Sequence, residues 1–305
     1  MRYITGTTRF HLEGPGAVSL GKFDGMHRGH QKLLDYVLAK QREGMNGIFF
    51  TFDQFPGNVL EHRQMPLIMT NEERRLYLER SGLDVLIECP FVKEVIHLSP
   101  EDFVREILIG EMHARYVVMG TDFHFGYKAA GDAEFLVNAS SRYGFTAEVI
   151  DKVMYGNEEI SSTLVRSMIT QGKIKTAHEL LGRPYNICGN ISRTQDTSEK
   201  TPFPVIRVIP HTCKLMPPDG VYISICCLNG KALRSVTNIS SVSKKNENDR
   251  MIQTYLFDCC EIGDGSCVEI ELYDFIRPEQ KFATVEALTL QIQQDILLSR
   301  DFFSE

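Results

Sequence analysis

Two hydrophobic rhythms divide this chain. Up to about residue 150, short apolar runs alternate with stretches whose apolar residues recur at helical spacing. The runs AVSL (17–20), GIFFTF (47–52), DVLIEC (84–89), RYVVMG (115–120) and FTAEVID (145–151) predict strands. Between them, QKLLDYVLAK places Leu33, Leu34, Val37 and Leu38 on one helical face. NEERRLYLER (71–80) predicts a helix capped by Asn71. SPEDFVREIL (99–108) predicts another, with Ser99 as N-cap and Pro100 in the first helical position. Alternation of this kind predicts an α/β domain, a parallel sheet covered by helices, with ligands at the carboxyl ends of the strands.

From about Tyr185 the rhythm changes. Pro202, Pro204, Pro210, Pro217 and Pro218 cluster, and period-two β-rich segments follow: VYISICCL, SVTNIS, MIQTYLFD and CVEIELY. They predict a small antiparallel β-barrel or sandwich. A closing C-terminal helix, 284–300, carries Val285, Leu288, Ile292 and Ile296 on one face, and SKKNENDR (243–250) reads as a polar, mobile loop. At 305 residues two domains are the natural expectation. The boundary is placed between 184 and 185, giving domains 1–184 and 185–305.

Composition narrows the function. A net charge of −7 with no basic stripe argues against nucleic acid as a partner. No apolar run approaches membrane-spanning length and no signal peptide is expected, so the cytoplasm is the default location and no membrane partner is expected. Seven of the eight cysteines lie beyond residue 187 and none forms a C-x-x-C pair, so they read as small reduced hydrophobes, not zinc ligands.

The chemistry concentrates in loops after predicted strands. GKFDGMHRGH (21–30) puts three glycines, two histidines, a lysine and an arginine between a buried strand and a helix. Free N–H groups and the dipole at such a helix start favour an anion, usually phosphate. His27-x-x-His30 adds hydrogen bonds and adjustable charge. The spacing from Gly16 to Lys22 imitates a P-loop, but Phe23 stands where Ser or Thr would hold magnesium, and we reject it. TFDQFP (51–56) and GTDFHFG (120–126) leave two further strands; Phe123 and Phe125 suit either a flat ring ligand or the core. In ISSTLVR (160–166), Ser161 and Ser162 resemble helix caps, while Thr163 and Arg166 share a helix face at its start. That is a second anion site, so a nucleoside triphosphate held at both ends fits.

H-x-G-H after G-x-F-D-G, with ISSTxxR, resembles the HxGH nucleotidyltransferase superfamily. More narrowly, GKFDGMHRGH, TFDQFP, GTDFHFG, ISSTLVR and LLGRPY in this order resemble the prokaryotic bifunctional riboflavin kinase/FAD synthetase family. PPDGVY, VTNIS, FIRPEQKF and LQIQQD extend the resemblance over its C-terminal kinase module. The resemblance implies a Rossmann-like domain that transfers AMP from ATP to FMN with Mg2+, releasing pyrophosphate. It implies His27, His30 and Arg166 as catalytic residues. Gly21, Phe23, Asp24, Gly25, Ser162 and Thr163 would join them around ATP, and Asp122, Phe123 and Phe125 would line the flavin pocket; no metal ligand is assigned.

Two departures stand out. Gln54 and Phe55 replace the Pro-His of the family's TFDPHP loop. In the barrel, the GFPTAN stretch becomes Pro202-Phe203-Pro204-Val205-Ile206-Arg207, and Gln253 stands in the segment of the catalytic glutamate. These changes predict an FMN adenylyltransferase with an inactive riboflavin-kinase-like barrel. The alternatives are a fully bifunctional enzyme, with riboflavin as a further substrate, and a non-catalytic flavin or nucleotide regulator.

Overall fold

The computed structural model describes residues 1–55, 57, 59, 65–191, 203–241, 250–257 and 267–304. They form two compact units, one of Met1–Met65 with Met69–Ser162, the other of Pro66–Ile68 with Thr163–Glu305. The division falls at 162/163, whereas the sequence pattern placed it at 184/185. The helices between those points group with the barrel.

The first unit is a six-stranded parallel sheet. Its strands are β1 (Arg2–Thr5), β2 (Gly16–Leu20), β3 (Asn46–Phe52), β4 (Val85–Cys89), β5 (Ala114–Gly120) and β8 (Thr146–Ile150), in the order β1-β4-β3-β2-β5-β8. All five residues of β2 and of β4 are buried, which is why they read as apolar runs, interrupted only by Ser19 and Glu88. The edge strand β1, only four residues long and partly exposed, gives no comparable signal.

Helices cover both faces. On one, α1 (Arg28–Arg42) and α2 (Asn71–Arg80) contribute Leu33, Leu34, Val37 and Leu78 to a core with Phe49, Leu86 and Val118. On the other, α4 (Pro100–Asp102, continuing as a π-helical stretch Phe103–Glu111) packs on Val18, Ile48 and Ile87. It follows the short α3 (Lys93–Ile96), and α5 (Ala133–Tyr143) shares that core. Ser99 caps α4 with Pro100 at its start, as expected. The cap of α2 is corrected: Thr70, not Asn71, accepts from Glu73 N–H while the Glu73 side chain accepts from Thr70 N–H.

The strand order reverses beside β2. From there the chain runs to β3 and β4 on one side and to β5 and β8 on the other. A crevice opens at such a switch point, at the strands' carboxyl ends. GKFDGMHRGH leaves β2 and GTDFHFG leaves β5, so both loops fall there.

The second unit begins with α6 (Ser162–Thr170, its first residue counted with the sheet) and α7 (Ile174–Leu181). A closed antiparallel barrel follows, β11-β12-β15-β14-β13-β16, with the helix α8 (Val285–Phe302). The strands are β11 (Tyr185–Ile191), β12 (Val205–Pro210), β13 (Gly220–Leu228), β14 (Lys231–Ser241), β15 (Arg250–Leu256) and β16 (Cys267–Pro278). Alternation sorts their side chains. Val221, Val236 and Tyr255 pack under Ile292 and Ile296 of α8. On the other face, Ser224, Ser235, Thr237 and Thr254 form a buried chain of hydroxyl hydrogen bonds at 2.8–2.9 Å. The polar stretch 242–249 and Cys259 and Cys260 lie outside the described residues. Cys89 is a buried free thiol, and Cys226 is buried as well.

Candidate functional site

The loop between β2 and α1 is built inward. Phe23 and Met26 take left-handed backbone angles (φ 48° and 42°) and are fully buried. The Phe23 ring stacks on Phe49 at 4.3 Å and meets His30 edge-on at 5.4 Å. Phe23 is therefore the floor of the loop. Asp24 is 3% exposed; its carboxylate accepts from Met69 N–H, and its carbonyl accepts from the Ser162 hydroxyl at 2.9 Å. Asp24 thus binds the start of ISSTLVR and the cap of α2 to the histidine loop.

His27 and His30 stack face to face, 3.7 Å between centroids with 20° between planes. Gly29 makes this possible. A Cβ there would lie 3.1 Å from His27 Cε1, tighter than side chains ordinarily pack. Both imidazoles are held neutral. Burial pushes His27 down to about 4, against a smaller upward pull from Asp122. Burial lowers His30 well below its usual value, reinforced by His27 and then by Arg74. Nδ1 of each ring is enclosed and makes no hydrogen bond within the protein. Two neutral imidazoles at a helix start can each donate one N–H to an anion.

The depressed His27 value has a consequence for stability. The unfolded chain binds a proton near pH 6.5 and the folded one only near 4, so the unfolded state carries more protons between these values and folding stability rises with pH across that window. We expect the urea midpoint to fall as pH drops from 7 to 4.5, with His27 contributing on the order of 3 kcal/mol. His27→Gln should flatten part of that slope; an unchanged slope would place the titration elsewhere.

The second loop splits. Phe125 is buried and packs with Phe103 and Phe135, so it is a core residue. Phe123 is partly buried and stacks parallel to Phe125 at 5.6 Å. The hairpin β6 (His124–Phe125) and β7 (Gly131–Asp132) fixes them, and Gly131 is required because a Cβ would lie 2.7 Å from the Phe125 ring. Asp122 is exposed and pairs with Lys152 at 3.3 Å; Lys152 also holds Glu159. Thr163 and Arg166 lie on α6 in the second unit, where the Arg166 guanidinium donates to the Pro66 carbonyl. Gly21 and Gly25 flank Phe23 in the loop, with Gly25 at φ 85°.

Sequence reasoning missed a buried group behind the histidines. Arg74 of α2 is paired with Glu88 at the end of β4, and Glu88 also accepts from Tyr3 at 2.5 Å. Neither residue lies in a motif, and only the pairing of β1, β4 and α2 brings them together.

A parallel sheet with an H-x-G-H turn at its switch point, joined to a six-stranded barrel, defines a two-module protein of the nucleotidyltransferase class. The comparisons narrow it. A family model for FAD synthetase matches residues 11–164, and one for riboflavin kinase matches 181–303. A protein of Listeria monocytogenes named bifunctional riboflavin kinase/FMN adenylyltransferase is 31% identical over 94% of this chain and 92% of its own length. Proteins of the same name from Haemophilus influenzae and Escherichia coli K12 are each 28% identical; they match over 94% of this chain, and 94% and 92% of their own lengths. A crystal structure from Streptococcus pneumoniae, titled a macrolide-efflux protein, superposes with a TM-score of 0.82. It is 26% identical and covers 97% of this chain and 95% of that one. The chain belongs to the bifunctional riboflavin kinase/FAD synthetase family.

Among the described residues no group of three or more His, Cys, Asp or Glu gathers into a metal site. Among the same residues no helix is long and apolar enough to cross a membrane.

Proposed function

We propose that the sheet domain, taken as residues 1–184, transfers AMP from ATP to FMN, giving FAD and pyrophosphate. The observation that carries this reading is the stacked, neutral His27–His30 pair at the start of α1, beside the strand-order reversal. An FMN phosphate oxygen attacks the α-phosphorus, forming one P–O bond as the bond to pyrophosphate breaks. The nucleophile is already anionic, so no activated serine or cysteine is needed. The residues contribute alignment and charge stabilisation. His27 and His30 donate to the phosphates, with the backbone of Gly21 to Gly25 shaping the loop around them. Ser162, Thr163 and Arg166 hold the triphosphate tail, and Phe123, with Asp122 at its edge, contacts the flavin or nucleotide ring while Phe125 supports it. Magnesium, arriving with ATP, supplies neutralisation of phosphate charge. Functionally we take 1–184 as the adenylyltransferase domain and 185–305 as the kinase-like one.

For the barrel, the bifunctional name of the relatives and the riboflavin kinase match favour a bifunctional chain over the inactive module expected from sequence. On that reading the barrel phosphorylates riboflavin and the sheet domain adenylylates the product. One observation favours a second reading, adenylyltransferase alone. Val205, Ile206 and Arg207 lie in a regular strand, with Ile206 1% exposed and Arg207 opposite Gln253 in register with β15. Two apolar side chains offer magnesium no oxygen, and an amide is not a base near neutral pH. The deciding experiment incubates the chain with ATP and Mg2+ plus either riboflavin or FMN and separates the products. The bifunctional reading expects FMN and FAD from riboflavin; the second expects FAD from FMN and nothing from riboflavin. Absence of FAD from FMN would remove both. A cytoplasmic location suits the use of ATP.

A further inference from the structure

We propose that Lys22 is a phosphate-binding residue of the crevice: its ammonium, held over the Phe55 ring on the β3 side, takes a phosphate oxygen of FMN or of ATP.

AMP transfer brings two anionic substrates together, yet much of the positive charge near the histidine loop is already committed. Burial holds His27 and His30 neutral. Arg74 is paired with Glu88, and Lys152 with Asp122 and Glu159. Lys22 differs from these. Among the described residues its ammonium makes no hydrogen bond or ion pair, and it rests over the Phe55 ring at 4.7 Å from the centroid.

Both residues are fixed at the carboxyl end of the sheet. β2 and β3 are parallel neighbours with Leu20 opposite Phe50. Their pairing runs on past Leu20: Gly21 N–H donates to the Phe50 carbonyl at 3.2 Å, and the buried Thr51 hydroxyl donates to the Lys22 carbonyl at 3.4 Å. Lys22 therefore leaves β2 directly beside the end of β3, with its side chain exposed. Phe55 comes from the turn after β3, and Asp53 anchors that turn. The Asp53 N–H donates to the Cys89 carbonyl at 3.1 Å, its carboxylate accepts from Phe91 N–H at 3.1 Å, and its carbonyl accepts from Asn71 at 2.8 Å. Gly57 lies against the ring, where a Cβ would come within 3.1 Å of Phe55 Cε1. Lys22, His27 and His30 share one loop, and β5, which leads to Phe123, is the other neighbour of β2. Lys22 with Phe55 thus borders the switch point on the β3 side, and Phe123 borders it on the β5 side.

A ring face attracts a cation but brings no negative charge. The contact orients the ammonium without neutralising it, and its three N–H groups remain donors in search of an acceptor. A compact phosphate oxygen suits such a point charge. A lysine that is merely solvated would leave the kinetics unchanged when replaced.

This inference rests on the adenylyltransferase reading, and the experiment lets the two fail separately. FAD formation by the full chain is measured at varied FMN and at varied ATP with Mg2+, for the wild type, Lys22→Met, Lys22→Arg and Phe55→Leu. Lys22→Met should lower kcat/KM by about tenfold or more, the usual weight of a hydrogen bond to a charged group. A rise in KM for FMN alone would assign the ammonium to the FMN phosphate, and a rise for ATP alone to the triphosphate. Lys22→Arg keeps a cation that can stack on the ring and should retain most of the rate. Phe55→Leu removes the ring face and should lower the same constant by about threefold. Lys22 is exposed, so its variants should melt with the wild type, which thermal unfolding checks. Constants for Lys22→Met within about twofold of the wild type would overturn the proposal, as would an equal loss in Lys22→Arg. If the wild type makes no FAD, the adenylyltransferase reading falls, and calorimetric titrations with ATP and Mg2+ and with FMN still decide on Lys22. A Kd raised about tenfold in Lys22→Met for either ligand upholds the phosphate contact; unchanged Kd values for both overturn it.

Discussion

Replacing His30 by alanine should lower kcat/KM for FAD formation from FMN and ATP by on the order of a hundredfold or more, the usual cost of one preorganised donor at a site of developing charge. Its geometry is held on two sides, by the stack on His27 at 3.7 Å and by the edge contact with Phe23 at 5.4 Å. An imidazole restrained in this way needs little reorganisation when charge builds on the α-phosphate. Alanine removes the donor and leaves a gap beside Phe23, so some fall in melting temperature is expected as well. The two effects separate by comparing His30→Ala with His30→Gln. Glutamine restores an N–H donor on a longer, freer side chain and should recover part of the rate with little change in KM. Steady-state rates at saturating FMN and ATP, measured well below the melting point, give the comparison. Equal kcat/KM in wild type and His30→Ala would reduce the motif to a tight turn.

How far the fold could be read depends on what each element rests on. β2, β3, β4 and β5 announced themselves because parallel strands buried on both faces are nearly all apolar, with Ser19, Thr51 and Glu88 as buried polar exceptions. Their order could not be read, since alternation alone does not say which strand neighbours which. The Thr70 cap was displaced by one residue because Thr70 and Asn71 are both good caps, and the reciprocal contact with Glu73 decides between them. β12 escaped notice because prolines at 202, 204 and 210 surround it.

The site divides along the same line. His27, His30 and the loop glycines lie within ten residues of sequence, so their meeting is local and legible. The assignment of Phe123 and Phe125 was open in the sequence, and the hairpin resolves it by sending Phe125 into the core. Arg74 and Glu88 are 14 residues apart on different elements, and their partner Tyr3 is 85 residues from Glu88. Nothing local marks them. The two roles of Asp24 were equally hidden, because its partners Met69 and Ser162 come from distant loops.

The largest stability effect should follow from Asp295→Ala in the second unit. Asp295 on α8 is 1% exposed and receives Arg277 of β16 in a fork, Nε at 3.1 Å and Nη2 at 2.7 Å, with Gln291 donating to Oδ1 at 3.1 Å. Deleting one partner of a buried pair leaves an uncompensated charge, and such changes cost about 3–5 kcal/mol. Here the stranded group is the guanidinium, which cannot shed its proton. It sits at the end of β16 beneath the helix that covers Val221, Val236 and Tyr255, so the loss should loosen α8 and expose that apolar face. Arg277→Met leaves the carboxylate with Gln291 as its remaining donor, and its cost should be smaller. Removing both, as Arg277→Met/Asp295→Leu, should return much of the stability. Urea titrations of the wild type, both single variants and the double one form a cycle that isolates the pair. A cost below about 1 kcal/mol for Asp295→Ala would mean that the guanidinium reaches water on its own, and that the apolar contacts of α8 hold the helix without the ion pair.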